Sequence, residues 1–356
     1  MRSQRTLRHW LQQLLPHANR AAQQAGWALL RALLVGFTVE LNQLARQLDR
    51  PGSAKNARQY LRRWLDHPAW EPAPLYAQLC RLVRRHLRRS RQVLLLIDTT
   101  TLADGWVVLQ VSVPWQRRAL PLYRAVYPYA GPERDQPQAL RTALGWLARH
   151  LPGPRSRYVL VMDRGFPSSD WVHQWQAAGW RFVVRVKSNW RMEGAEYTGL
   201  LRQTPLGTRP SFYPNVILGW RDPRRQGPDR RGRAHVVQYH GPEQKEPWHL
   251  VTSEPEPWAA LQIYRQRMQI EQEFRDLKGP LGLDRLAAWT DPERIASFLA
   301  WLAVYEWRLA YWWLFEHLTD FARTLQIGGT LSWIRTTREW VDRRIRLLGA
   351  QAFDGL

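Results

Sequence analysis

The sequence predicts an α/β protein, in which a mixed sheet flanked by helices is preceded by an all-α region and interrupted by a β-rich insertion. Residues 1–88 have the pattern of helices. Two continuous apolar runs, Val93–Ile97 and Tyr158–Met162, each lead into an aspartate, as buried strands often do. From Lys187 to Trp258 the chain is rich in Gly, Pro and Arg, with short β-prone pieces. Its 356 residues suffice for a sizeable core and more than one domain.

Residues 1–88 are predicted to form a helical DNA-binding domain. Leu41–Leu48, a turn at 49–53 and Ala54–Leu65 have the helix, turn, helix rhythm of a DNA-binding module. An ordinary basic amphipathic helix is the alternative. The second helix carries side chains of the types that hydrogen bond to base edges and phosphates: Lys55, Asn56, Arg58, Gln59, Arg62 and Arg63.

Residues 89–187 are predicted to form the first part of the mixed-sheet core. Pro68–Pro74 is expected to be a loop, and a basic helix, Leu75–Arg89, leads from it into the first strand. Strands and helices then alternate as a mixed sheet with covered faces requires. The predicted elements are strands ending at Asp98 and at 106–113, 120–127, 158–162 and 182–186, with helices at 137–150 and 168–178.

Residues 188–257 are predicted to form a small antiparallel β insertion, with β-prone segments at 212–220, 234–239 and 248–252. Arginine clusters at 221–225 and 230–233 fall where a hairpin tip is expected. A flexible basic tip could follow DNA phosphates, with a strong dependence on salt. A solvated loop that only keeps the protein in solution is the alternative.

Residues 258–316 are predicted to complete the core, and residues 317–356 to form a C-terminal helical segment. The stretch Phe298–Phe315 is the most apolar of the chain. Because Glu306 and Arg308 interrupt it, a buried helix is predicted rather than a membrane span.

The charge balance is strongly basic. Lys and Arg number 52 against 30 Asp and Glu, for a formal net charge of +22, which is typical of chains that neutralise phosphates. Membrane surfaces and acidic proteins attract such chains too. Cys80 is the only cysteine, so an internal disulfide framework and a cysteine-based zinc cluster are excluded. With no apolar signal core at the start, we expect a cytoplasmic, nucleoid-associated protein without membrane attachment.

Four polar side chains recur at helical spacing near residue 270. Tyr264, Arg267, Glu271 and Lys278 lie at i, i+3, i+7 and i+14. At roughly 100° per residue, a single helix would place them within an arc of about 60°. One acid would then stand in line with three groups that can bind phosphate. A solvated helix of mixed charge is the alternative.

Further acids lie at the ends of predicted strands. Asp98 and Asp163 each follow a buried strand, at the rim where open α/β sheets bind ligands. With Glu271 they could hold two divalent cations that activate a water and stabilise the leaving oxygen of a phosphodiester. Each aspartate could instead be a turn former or helix N-cap. Three other acids compete for the third position: Asp104 past a predicted turn, and Glu273 and Asp276 at about 180° and 120° from Tyr264.

The joint pattern resembles the DDE transposases of bacterial insertion sequences, in particular the cut-and-paste group that forms DNA hairpins. The resemblance rests on Asp98 in LLLIDTT, Asp163 in VMDRGF and the Tyr-x2-Arg-x3-Glu-x6-Lys signature from Tyr264 to Lys278. It covers residues 90–310. Trp248, in WHLVTSEP, is similar to a family tryptophan that stacks where a base is flipped out. Trp220 is the competitor for that role.

The resemblance implies a ribonuclease-H-like catalytic core whose three acids, Asp98, Asp163 and Glu271, hold two Mg²⁺ ions, with Mn²⁺ as a substitute. The implied reactions are cleavage at the element ends, hairpin formation by the freed 3′-hydroxyl, reopening, and transfer to target DNA. The residues implied to bind DNA phosphate are Tyr264, Arg267, Lys278 and Arg164.

The implied partners are double-stranded DNA, as terminal inverted repeats and as target, and a second copy of the chain in the synaptic complex. No small-molecule substrate is expected. Two other functions remain open: a ribonuclease-H-like nuclease that does not transpose, and an inactive relative that only binds DNA.

Overall fold

The computed structural model describes residues 12, 14–16, 18–36, 38–48, 53–89, 91–103, 105–115, 118–130, 136–207, 209–219, 231–279 and 281–316. Several predicted features lie outside these residues: Asp104, Trp220, the arginines at 221–225 and Arg230, and the segment 317–356.

The described residues before β-structure begins form helices and a short 3₁₀ turn. The helices are α1 (Arg20–Gly36), α2 (Leu41–Arg46), α3 (Ala54–Leu65) and α4 (Pro72–Arg89). Ser53 caps α3, because its hydroxyl accepts a hydrogen bond from the Asn56 amide at 3.3 Å. The apolar residues Leu61 and Leu65 of α3 are buried, while its basic residues face outward.

The predicted loop at Pro68–Pro74 is mostly helical, so that prediction was wrong. A 3₁₀ turn spans Pro68–Trp70, and α4 already begins at Pro72. Proline in a first helical turn loses no hydrogen bond, since the amides there have no partner within the helix. Prolines that suggested a loop therefore start helices here.

A ten-stranded sheet forms the centre of the protein, with strand order β3-β2-β1-β4-β5-β10-β9-β8-β6-β7. Its first half comprises β1 (Val93–Leu102), β2 (Trp106–Trp115), β3 (Arg118–Pro128), β4 (Tyr158–Met162) and β5 (Arg181–Arg185). Strands β1, β4 and β5 run parallel, whereas β1, β2 and β3 are antiparallel neighbours. The helices α5 (Gln136–His150) and α6 (Ser169–Ala177) connect β3 to β4 and β4 to β5.

The β-rich insertion is part of the same sheet rather than a separate small unit. Its strands are β6 (Arg191–Glu193), β7 (Thr198–Leu200), β8 (Ser211–Leu218), β9 (Arg233–Tyr239) and β10 (Trp248–Thr252). Strand β10 pairs antiparallel with β5, with Val251 opposite Val184. The pairing satisfies the backbone groups of β5, which would otherwise form an open edge.

The predicted single helix from Tyr264 to Lys278 is two helices, α7 (Pro257–Arg265) and α8 (Met268–Lys278). Between them Gln266 and Arg267 keep helical dihedral angles. Their amides bond three residues back, to Ile263 and Tyr264, at 3.1 and 3.0 Å. The chain is thus wound more tightly here than an α-helix, which changes the angles expected of one continuous helix.

The last described helix, α9 (Pro292–Glu316), joins the helical region to the sheet. A Cβ added to Gly26 of α1 would overlap the Trp301 ring, so α1 and α9 approach closely. Trp301 also packs on Trp70, with ring centroids 4.6 Å apart. Arg294 of α9 holds both oxygens of Asp66 at 2.8 and 2.9 Å. Among the described residues, no helix is long and apolar enough to cross a membrane.

Candidate active site

Asp98 and Asp163 lie side by side where the pairing of the neighbouring interior strands β1 and β4 ends. We call this end of the sheet the edge. The parallel pairing of β1 with β4 ends at Ile97 and Met162, and each aspartate is the next residue along the chain. The prediction that the first strand ends at Asp98 was wrong, because β1 continues to Leu102 by pairing with β2. Only its pairing with β4 stops there, which leaves the Asp98 side chain at the rim.

Arg267 connects the three predicted acids. Its Nη1 donates to Asp98 Oδ2 at 3.0 Å, and its Nη2 donates to Glu271 and lies 3.7 Å from Asp163 Oδ2. The arginine is 6% exposed. We call these four residues, Asp98, Asp163, Glu271 and Arg267, the edge cluster.

Tyr264 and Trp248 form one wall of the edge cluster. The Tyr264 hydroxyl donates to Asp163 Oδ1 at 3.1 Å. Burial raises the pKa of Tyr264 above its usual range, so the phenol keeps its proton and remains a donor. The Trp248 ring meets the Tyr264 ring edge to face, with centroids 4.8 Å apart.

The edge cluster carries more negative than positive charge. Burial raises the pKa of Asp98 to about 6, and Glu271 and Asp163 add to the rise. Arg267 and the Thr99 amide, 2.8 Å from Asp98 Oδ1, oppose it. When all three carboxylates are ionised, one guanidinium leaves two negative charges unbalanced.

The chemistry of the donor set, rather than its spacing, suits a hard divalent cation. Three carboxylates around one cationic group offer the oxygen donors that Mg²⁺ and Mn²⁺ prefer, with two negative charges in excess when all three are ionised. In the described part of the chain, however, no group of three or more His, Cys, Asp or Glu side chains has the spacing of metal ligands. The acids are instead spaced around the guanidinium.

Two other predicted phosphate-binding residues are held in separate ion pairs. Lys278 Nζ lies 3.3 Å from Asp284 Oδ1. Arg164 Nη1 donates to Glu246 at 2.9 Å, and both side chains are about half exposed. The structure therefore brings Tyr264 and Arg267 onto the acids, but not Lys278 or Arg164.

The competing acids of α8 bond to arginines of β3 rather than to the edge cluster. Glu273 is bonded to Arg124 at 3.1 Å and Asp276 to Arg118 at 2.7 Å, both on β3. Arg124 and its cross-strand partner Gln110 were not predicted. The available signal was their position, since each is a polar residue within a largely apolar strand.

The predicted end-binding residues lie on the outer face of α3. Five of them are exposed: Lys55, Asn56, Gln59, Arg62 and Arg63. Arg58 is partly buried and donates to Asn42 of α2 at 3.1 Å. Within the part of the chain that the structure describes, this face of α3 is therefore accessible.

Comparison with known proteins finds a family model that matches part of the chain. Residues 131–305 match the family model of the transposase DDE domain. The matched segment, just under half of the chain, contains Asp163 and Glu271 and begins after Asp98. The match supports a relationship of this segment to the DDE transposases. No curated protein matches the chain significantly.

One solved structure with a similar course of the chain is a cryo-EM structure of the piggyBac transposase synaptic complex with hairpin DNA. It is 14% identical, with a TM-score of 0.42, and the alignment covers 91% of this chain and 76% of that chain.

Proposed function

We propose that the protein is a DNA transposase that excises and inserts a mobile element by a cut-and-paste route with hairpin intermediates. The observation that carries the proposal is the edge cluster. Asp98, Asp163 and Glu271 are far apart in sequence, yet all three contact one buried guanidinium at the sheet edge. Acids gathered at such an edge are typical of sites for phosphoryl transfer.

The topology supports a ribonuclease-H-like catalytic core. Three antiparallel strands, β1 to β3, continue into the parallel strands β4 and β5, with helices between the later strands. In our proposal residues 89–187 and 258–316 make up this core, residues 1–88 bind DNA ends, and residues 188–257 handle the hairpin.

Asp98, Asp163 and Glu271 would hold the divalent cations. Two Mg²⁺ ions, or Mn²⁺, would supply activation of the attacking oxygen and stabilisation of the leaving oxygen. The raised pKa of Asp98 reflects burial among like charges, and a cation bound there would favour its ionised form.

Arg267 and Tyr264 are suited to hold a DNA phosphate beside the acids. The Nε–H of Arg267 is buried and, within the described residues, has no hydrogen-bond partner. An unpaired buried donor costs free energy, and a phosphate oxygen would remove that cost with the planar geometry that guanidinium prefers. The Tyr264 hydroxyl is a second donor at the same place.

Trp248 and the more distant basic residues complete the proposed DNA contacts. Trp248 is half-buried against Tyr264, so one ring face beside the acids could stack on an extruded base. Arg164 and Lys278 can exchange their carboxylate partners for phosphate oxygens. The exposed face of α3 would bind the terminal repeats, and two such ends require a dimer of this chain on nucleoid DNA.

The test is cleavage of DNA that carries the flanks of the gene, with Mg²⁺ or Mn²⁺. Glu271→Gln removes one edge carboxylate with little change in shape, and Glu243→Gln makes the same change at an exposed loop residue. We expect the first variant to bind DNA but not cut it, and the second to behave as wild type. Cleavage by Glu271→Gln at the wild-type rate would contradict the proposal.

The same reaction separates transposition from simple cleavage. A transposase joins the freed ends to a second plasmid, whereas a nuclease without transposition leaves only cut products. Denaturing gels resolve the hairpin, because its two strands remain covalently joined. If the protein cuts DNA but forms no joined products with any of the DNAs that it cuts, the result would favour a nuclease that does not transpose.

A further inference from the structure

A second group of charged residues lies on the opposite face of α8. Arg124 of β3 is 3% exposed. Its Nη2 donates to Glu273 Oε1 at 3.1 Å and to both oxygens of Glu306 at 3.0 and 2.9 Å, while its Nε donates to Gln110 at 2.6 Å. Gln110 in turn donates to Glu273 at 2.9 Å. We call Arg124, Glu273, Glu306 and Gln110 the buried cluster.

The buried cluster is poorly explained as a source of stability. Burying two carboxylates and one guanidinium costs several kcal/mol per ion, and apolar residues of similar volume often stabilise a core as well or better. Hydrogen bonds, unlike apolar contacts, are directional. The bonds of the cluster join three elements: α8, α9 and the β2-β3 pair.

The orientation of α8 determines where Glu271 points. Glu273 is two residues from Glu271, about 200° around the helix, so the two side chains emerge on nearly opposite faces. A carboxylate about 6 Å from the helix axis moves about 1 Å when the helix turns by 10°. Misplacement by about 1 Å can cost a reaction roughly a hundredfold.

A second ion pair also joins α8 to β3. Arg118, on the same strand as Arg124, donates to Asp276 at 2.7 Å. Asp276 is three residues after Glu273, on the next turn of α8. Two ion pairs on successive turns resist rotation about the helix axis better than one.

We infer that Glu273 is a positioning residue: its bonds to Arg124 and Gln110 set the rotation of α8 and so place Glu271 against Asp98 and Asp163. The inference rests on the proposed role of Glu271 as a cation-binding catalytic residue. Glu273 touches neither DNA nor the edge cluster in this role and acts only through the helix.

The test compares three variants. Glu273→Leu removes the anchor but leaves Arg124 paired with Glu306, and Glu273→Gln keeps an oxygen that can accept from Arg124. The control is Glu254→Leu, which removes a carboxylate as buried as that of Glu273 but paired with the more exposed Arg181 on β5, away from α8. Each variant is measured for melting temperature, kcat and KM with DNA, and Mn²⁺ affinity without DNA by electron paramagnetic resonance.

We expect Glu273→Leu to lower kcat at least about tenfold and to weaken Mn²⁺ binding several-fold, with KM for DNA within about twofold of wild type. Glu273→Gln should recover most of both losses. The control variant should also have a lower melting temperature than wild type, but it should keep the wild-type kcat and Mn²⁺ affinity. If Glu273→Leu does not fold, Gln110→Leu gives the same test with about a threefold change, because it removes only the bond from β2.

The outcomes separate the two levels of the proposal. Equal kcat and Mn²⁺ affinity in Glu273→Leu and the control would overturn the positioning role and leave Glu273 a structural residue. If Glu271→Gln also keeps wild-type cleavage and Mn²⁺ affinity, the proposed catalytic site itself fails. Loss of both properties in Glu271→Gln, but in neither anchor variant, contradicts only the inference.

Discussion

The edge cluster and the buried cluster are built on a similar plan in opposite surroundings. Each sets an excess of carboxylates around one arginine, and the two lie on opposite faces of α8. The edge carboxylates are 17%, 28% and 35% exposed, whereas those of the buried cluster are 7% and 3% exposed. Where water and ligands have access, surplus charge can bind a cation or substrate. Where they do not, the charges must be satisfied internally, and they specify geometry.

The largest expected effect is loss of a carboxylate at the edge. Asp98→Asn should lower the cleavage rate at least about ten-thousandfold, because one cation ligand is lost. This corresponds to a loss of several kcal/mol in transition-state stabilisation. The melting temperature of the variant should not fall, since the change relieves repulsion among three acids. Single-turnover cleavage and calorimetry measure the two effects. Cleavage by Asp98→Asn at the wild-type rate would contradict the catalytic role that distinguishes the edge cluster from the buried cluster.

Loss of the buried arginine should act on stability instead. Arg124→Met leaves two buried carboxylates without their cation, so we expect a loss of about 3 kcal/mol in the free energy of unfolding. Denaturant titration measures it. The double variant Arg124→Met with Glu306→Leu should recover part of the loss, because it removes one of the two carboxylates left without a cation. An unchanged midpoint for Arg124→Met would show that the cluster is not sealed from water.

Loss of the edge arginine should be milder and reversible by ions. Arg267→Met removes the only cation that contacts all three edge acids in the described structure, and we expect about 2 kcal/mol less stability in chelator. Mg²⁺ should raise the melting temperature of the variant more than that of wild type, because a ligand that binds only the folded state stabilises it. Arg265→Met, at a neighbouring exposed position, should show no such gain. Equal Mg²⁺ shifts in all three proteins would contradict this.

The smallest expected effect is a dependence of stability on pH. The folded-state pKa of Asp98 is about 6, above its ordinary 3.8, so the folded state retains this proton to a higher pH than the unfolded state. Asp98 therefore contributes stability below about pH 4 that is lost as pH rises to about 6, by about 1 kcal/mol after screening. Melting curves in chelator should show this fall in wild type and not in Asp98→Asn. Identical pH slopes would contradict it.

Local patterns predicted most of the elements because they report on burial. The apolar runs before Asp98 and Asp163 are strands because their residues are buried on both faces of the sheet. Glu271 and Glu273 are two residues apart on α8, so their side chains are about 200° apart around the helix. The break between α7 and α8 was missed, since the stretch from Tyr264 to Lys278 contains neither glycine nor proline to mark it.

Side-chain partners were harder to predict, because they depend on residues distant in the chain. Arg267 was predicted to face phosphate, and its contacts with three acids arise only when β1, β4 and α8 meet. Nothing near Glu273 in sequence indicates that Arg124, 149 residues earlier, would bind it. The extension of the core sheet by the insertion likewise required knowing which strand edge was open.

The sequence by itself determined the kinds of chemistry available: acids at strand ends, a helical line of phosphate-compatible groups and a net charge of +22. These depend on composition and short-range periodicity, which are properties of the chain alone. Only the tertiary structure decided which acids share an arginine at an open edge and which are sealed in the core. That decision rests on burial, which changes the cost of a charge by several kcal/mol and is set by packing between distant segments.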